Sequence, residues 1–115
     1  MGGFPRELRL RRRSDFVRVQ RQGRRTRTPD LVVAVLPNVL THPRFGITVS
    51  KKVGNAVARN RVKRHLREAI RAGRGALTGV DVVFIARPSA ALASGEVLGQ
   101  QVCQVLTRLQ DVGRH

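Results

Sequence analysis

The chain reads as a single α+β domain, an α/β sandwich of about four strands with three helices in the order α-β-β-β-α-β-α. Three observations predict this. Short runs rich in β-branched residues, 31–36, 45–50 and 81–86, are each bounded by turn residues. Two long stretches instead repeat apolar residues at helical spacing: Ala58, Val62, Leu66, Ala69 and Ile70 in one, and Leu98, Val102, Val105, Leu106 and Leu109 in the other. The 115 residues suffice for one modest core, so 1–115 is expected to be one domain.

Residues 1–8 carry Gly, Pro and Arg and are expected to be a mobile basic arm. In the stretch 14–22, Phe16 and Val19 lie three apart, which suits a short first helix capped by Ser14 or Asp15. The arginine-rich 23–28 predicts a short edge strand. The runs 31–36 and 45–50 follow, joined by a loop from Pro37 to Pro43, and are expected to form an antiparallel hairpin. A central helix spans 55–72, with Asn55 as its N-cap and Gly73 as its stop. After a glycine-bounded loop, 81–86 is a buried strand. The last helix begins near Ser94, ends at Gly113 and leaves a tail at 112–115. The strand–helix–strand unit from Phe45 to Ala86 is a candidate parallel crossover, right-handed by the general rule.

Charge points to the partner. The formal net charge is +16, carried by twenty arginines and three lysines. Arginine offers a planar fork for phosphate and a flat face for bases. A genome that favours arginine codons would account for the choice of arginine, but not for the total. The charge is concentrated on the central helix and the turn before it. At about 100° per residue, Asn60, Lys63, Arg64, Arg67 and Arg71 fall opposite the apolar stripe. Lys51, Lys52, Arg59 and Arg61 add to them, and Glu68 is the one acid. A charged helical face is usually only a solvated surface. With so little acid to pair with, this one reads as a surface for a polyanion, and Asn60 adds an amide suited to a base edge or a 2′-hydroxyl.

Other classes fit poorly. Metal-assisted phosphodiester cleavage needs carboxylates close together, whereas Glu7, Asp15, Asp30, Glu68, Asp81, Glu96 and Asp111 are scattered singly. His42, His65 and His115 lack ligand spacing; His65 falls between the basic and apolar sides of its helix. No catalytic residue and no protein-held metal is therefore expected. Cys103 stands alone and is read as a small core residue of the last helix. No apolar run approaches the ~20 residues of a membrane span. The N-terminus lacks a signal-peptide core, and Arg6 stands where a myristoylation signal would want Ser or Thr, so a cytoplasmic location is expected. The central helix is too uniformly cationic for a DNA-reading helix. A structural RNA-binding protein of the ribosomal type shares this size and charge and stands as the alternative.

The segment Ser50-Lys51-Lys52-Val53-Gly54-Asn55-Ala56-Val57, followed by Arg59-Asn60-Arg61-Val62-Lys63-Arg64, resembles the RNR signature of the bacterial ribonuclease P protein component. Asp15-Phe16 with Val19 and Gly23 is similar to that family's first helix, and 81–87 to its last strand. The resemblance covers nearly the whole chain. It implies the protein subunit of a ribonucleoprotein that removes the 5′ leader from precursor tRNA, with catalysis and bound Mg2+ residing in the RNA subunit. It implies an RNA-binding set of Lys51, Lys52, Asn55, Arg59, Asn60, Arg61, Lys63, Arg64, Arg67 and Arg71. It also implies a leader cleft between the first helix and the sheet, at Phe16 and Ala34, and a left-handed crossover at the central helix. Read from the residues alone, Phe16 is equally a stacking surface or a core anchor. Related proteins often place further aromatics in the cleft where this chain has Gln20 and Ala34, which implies weaker stacking on the leader.

Overall fold

The computed structural model describes residues 5–75 and 77–112, with side chains up to Gln110. Helix α1 spans Arg13–Gln22, strands β1, β2 and β3 span Arg24–Arg27, Leu31–Pro37 and Arg44–Thr48, and helix α2 spans Ala56–Gly73. Strand β4 (Val80–Ala86) and helix α3 (Gly95–Val112) complete the predicted order, with short 3-10 turns at Arg6–Leu8 and Pro88–Leu92.

The four strands form one mixed sheet in the order β1-β2-β4-β3. Strand β4 takes a central place: Val82, Val83 and Phe84 present apolar side chains to both faces and are fully buried, as is the hydrogen-bonded Asp81 before them. Alternation along its pleat splits the core in two. Val82 and Phe84 join Leu31, Val33, Phe45 and the apolar faces of α2 and α3 in the larger cluster. Val83 joins Leu10, Val19 and Ala34, with Phe16 packed against them, beneath α1. The sheet therefore carries α1 on one face and the α2–α3 pair on the other.

The expected hairpin between 31–36 and 45–50 does not form. Strand β2 pairs antiparallel with β4 over Leu31–Pro37, and β3 pairs parallel with β4 on its other side. Hairpins are most often closed by loops of about two to five residues. The Pro37–Pro43 loop instead has the length to cross one strand, about 10 Å for two inter-strand steps, and is held over the start of β4 where the Asn38 N–H donates to the Gly79 carbonyl at 2.8 Å. The parallel β3–β4 pair with α2 between them is the predicted crossover unit.

Three further expectations need correction. From Arg6 onward the basic arm is part of the fold: Leu8 and Leu10 are buried, and the Leu10 N–H donates to the Phe45 carbonyl at 2.8 Å. Within the expected arm, Leu8 is the apolar anchor that the Gly, Pro and Arg composition conceals; residues 1–4 lie outside the described residues. Helix α1 starts at Arg13 without a side-chain cap, and Asp15 lies within its first turn, bound to arginines instead. Cys103 is exposed, because it sits about 140° around α3 from Leu98 at 100° per residue. The expected stop of α3 at Gly113 lies outside the described residues.

The ends of the α2–α3 pair are closed by specific bonds. Asn55 caps α2, its Oδ1 accepting from the Ala58 N–H at 2.9 Å. Gln110 donates to the Gly73 and Arg74 carbonyls, each at 3.1 Å, satisfying the C-terminal end of α2 from α3. Ser94 caps α3 through the Val97 N–H at 3.1 Å. Gln101, buried within α3, accepts from Thr28 at 2.5 Å and donates to Asp30 at 2.7 Å, fastening α3 to the β1–β2 turn. Among the described residues no helix is long and apolar enough to cross a membrane.

Candidate nucleic-acid interface

Helix α2 is pinned by Val62, Leu66 and Ile70, all at zero exposure, with Ala58 and Ala69 half-buried beside them. This stripe fixes the opposite side toward solvent. Asn60, Arg61, Arg64, Arg67 and Arg71 are exposed there, and Lys51 and Lys52 are exposed on the turn before the helix. Arg59 and Lys63 are half-buried at the flanks. The one acid pairs only loosely: Arg64 Nε lies 3.8 Å from Glu68, both more than half exposed, a geometry worth little in water. The face is thus cationic, rigid and almost without internal compensation.

Within it, three predicted residues have second duties. The Asn55 side-chain oxygen is committed to the helix cap, leaving its amide N–H groups for any partner. Arg61 donates to the Ala91 carbonyl, bracing α2 against the 3-10 turn at Pro88–Leu92. The Nε of Arg59 is enclosed without a hydrogen-bond acceptor, so this guanidinium is held partly inside the surface.

The predicted cleft residues part company. Phe16 is half-buried and packs on the sheet, its ring lying against Gly46 of β3. A Cβ on Gly46 would stand 2.5 Å from that ring, so glycine is what lets Phe16 rest this close to β3. Ala34 is fully buried beneath α1 and offers no surface to a ligand, which corrects its assignment to the cleft. Of the candidates named there, Phe16 and Gln20 retain partial exposure.

Sequence reading missed the polar centre beside this cleft. Asp81, fully buried, accepts from Arg44 Nε at 2.9 Å and Nη2 at 2.7 Å, from Asn38 at 2.8 Å and from Arg18 at 3.2 Å. Asp15 lies 3.2 Å from Arg18 and 3.8 Å from Arg44. Burial alone would push the Asp81 carboxyl up, but the hydrogen bonds from Arg44, Asn38 and Arg18 outweigh it and hold the group below the usual carboxylate range. The Arg44 guanidinium is raised correspondingly, chiefly by its bond to Asp81. The available signal was an acid heading a wholly apolar strand, opposite an arginine heading its parallel neighbour. These carboxylates suit a divalent metal poorly, since their oxygens are spent on arginines, and the described residues hold no cluster of three or more metal-ligating side chains.

A family model described as Ribonuclease P matches residues 4–110. The ribonuclease P protein component of Desulforapulum autotrophicum is 45% identical over 85 residues, covering 73% of each chain. That of Desulfovibrio desulfuricans is 40% identical over 115 residues, covering 97% of this chain and 88% of its own. Among solved structures, the RNase P protein from Thermotoga maritima superposes with a TM-score of 0.79 at 30% identity, covering 87% of this chain and 96% of that one. The RNase P protein of Staphylococcus aureus does so with a TM-score of 0.74 at 31% identity, covering 92% and 94%.

Proposed function

The chain belongs to the ribonuclease P protein family, and from that premise we infer that it is the non-catalytic subunit that binds the catalytic RNA and the 5′ leader of precursor tRNA. The observation that carries this reading is the α2 face, where exposed cations stand on a helix locked by Val62, Leu66 and Ile70. Cations fixed in advance near phosphates replace part of the diffuse ions that two RNA surfaces would otherwise require. The protein thereby lowers the magnesium demand of an RNA that holds its own Mg2+. Arg64, Arg67 and Arg71, with Lys51 and Lys52, contact backbone phosphates, and Asn60 reaches a base edge or a 2′-hydroxyl. Phe16 and Gln20 border the leader, with grip coming more from arginine than from stacking.

The chemistry belongs to the RNA in this reading. Asp15 is ion-paired with Arg18, and the buried Asp81, bound by Arg44 and Arg18 and held below the usual carboxylate range, is a poor general base. The test is precursor-tRNA cleavage at low magnesium with catalytic RNA alone, protein alone and both. Cleavage at the mature 5′ end only in the mixture is expected. Activity from protein alone would overturn the division of labour, and no stimulation of the RNA would favour a ribosomal-type structural role. With about 6–10 phosphate contacts, affinity should fall roughly 10³–10⁵-fold between 50 and 200 mM salt.

A further inference from the structure

A second cationic feature lies away from α2. A cleft opens between the 3-10 turn at Arg6–Leu8, the first turn of α1, the loop after β2 and the start of β3. Its walls carry six arginines, Arg6, Arg9, Arg11, Arg12, Arg18 and Arg44, against two carboxylates, Glu7 and Asp15. The inner pair, Arg18 and Arg44, is spent on Asp81 and Asp15 and forms a fixed floor. The outer wall is different: Arg6, Arg11 and Arg12 make no ion pair among the described residues. Their backbone is nonetheless held, because Leu8 and Leu10 are buried on either side of Arg9, which bridges to Phe45.

The cleft is separate from the α2 face. Arg44 begins β3, whereas Lys51 and Lys52 follow its far end. At about 3.3 Å per residue the strand alone spans roughly 13 Å, and α2 packs on the opposite face of the sheet from α1. The guanidinium forks of Arg6, Arg11 and Arg12, outside any ion pair among the described residues, suit phosphate oxygens, which arginine grips two at a time. The backbone phosphates of a flexible single strand are free to follow such a concave cationic wall.

We propose that this cleft is a second phosphate-binding site, which takes consecutive phosphates of a single-stranded RNA segment independently of α2. The site itself does not rest on the ribonuclease P reading; only the origin of the strand does, either the catalytic RNA or the leader upstream of the part beside Phe16.

The test removes Arg11 and Arg12, both exposed and outside the core. A labelled single-stranded oligoribonucleotide of about five nucleotides is titrated by fluorescence anisotropy at several salt concentrations. The protein carries R64A/R67A, with and without R11A/R12A. The second pair should lower the remaining affinity at least tenfold and reduce the salt slope by about 1.4, at about 0.7 per phosphate contact on a single strand. No further change in affinity or slope would overturn the site. Assembled with catalytic RNA, the R11A/R12A protein then meets precursors with leaders of about two and about ten nucleotides. A deficit confined to the long leader assigns the strand to the leader, and an equal deficit with both assigns it to the catalytic RNA. Should the unmutated protein fail to stimulate the RNA while the oligonucleotide result holds, the functional reading falls and the site stands. The opposite pair of results removes the site and keeps the function.

Discussion

Arg44 and Asp81 face each other across the parallel β3–β4 pair and are joined twice, through Nε and Nη2 to the two carboxylate oxygens. This fork ties the edge strand to the central strand at the point where α1 and the loop after β2 also converge, through Arg18 and Asn38. Removing the carboxylate leaves cations facing a buried gap. Asp81→Ala should therefore cost about 3 kcal/mol, at the low end for breaking a buried pair because Arg44 keeps 23% exposure. Urea unfolding of the free protein measures it, and a loss under about 1 kcal/mol would mean that water replaces the carboxylate.

The same carboxylate makes stability depend on pH. Its pKa in the folded protein lies below that of the unfolded chain, so the unfolded state binds protons more readily. The stability it contributes is fully present above the ordinary carboxylate value of about 3.9 and is lost as pH falls toward the folded value. The raised pKa of Arg44 acts only at extreme alkaline pH. Unfolding midpoints at pH 6 and pH 3 should differ less in Asp81→Asn than in the unmutated protein; equal differences would assign the acid sensitivity to other groups.

What the residues disclosed in advance is local. The 3.6-residue stripe of α2, its Asn55 cap and the apolar runs of β2 and β4 are each set by neighbours in sequence, and all appear where periodicity places them. What escaped depends on partners far along the chain. Which strand sits beside β2 is decided by β4 burying both faces, forty-odd residues later, and not by the loop between β2 and β3. Asp81 read as a strand boundary because nothing nearby reveals that Arg18, Asn38 and Arg44 meet over it. The cationic face of α2 was legible because charge opposite an apolar stripe has only one place to go, whereas the enclosure of Ala34 required knowing that α1 lies over it.

Gly46 supports Phe16 by having no side chain. In Gly46→Ala the new Cβ would meet two ring carbons of Phe16 at 2.5 and 2.7 Å and Leu10 at 3.3 Å, so the ring must leave the sheet or β3 must shift. The substitution should destabilise by about 1–3 kcal/mol. Phe16→Leu in the same background should recover part of that loss. A double-mutant cycle without coupling between the two positions would show that the ring has another resting place.

Asn55 is a cap that also stands at the edge of the cationic face. Asn55→Ala should cost about 1 kcal/mol of stability, while Asn55→Ser keeps the cap and the stability. Asn55→Asp separates the roles: it preserves the cap and the melting temperature, but its charge weakens RNA binding. Unchanged affinity in Asn55→Asp would place this position outside the RNA contact.

Leu66 and Arg64 lie two residues apart on α2 and divide its labour most sharply. Leu66 is fully enclosed by the larger apolar cluster, so Leu66→Ala removes packing and leaves a cavity, at about 2–5 kcal/mol. Arg64 is 64% exposed, with only a loose contact to Glu68, so Arg64→Ala should change stability by less than about 0.5 kcal/mol. On catalytic RNA the order reverses. Arg64→Ala should weaken binding and lower the salt slope by about one contact, whereas Leu66→Ala, measured at a temperature where it remains folded, should leave the slope unchanged. Thermal melting alongside salt-dependent RNA titration reads both. A slope that ignores Arg64 would make that arginine a solvated charge, and the contact set would then have to be drawn from Arg67, Arg71 and the Lys51–Lys52 turn.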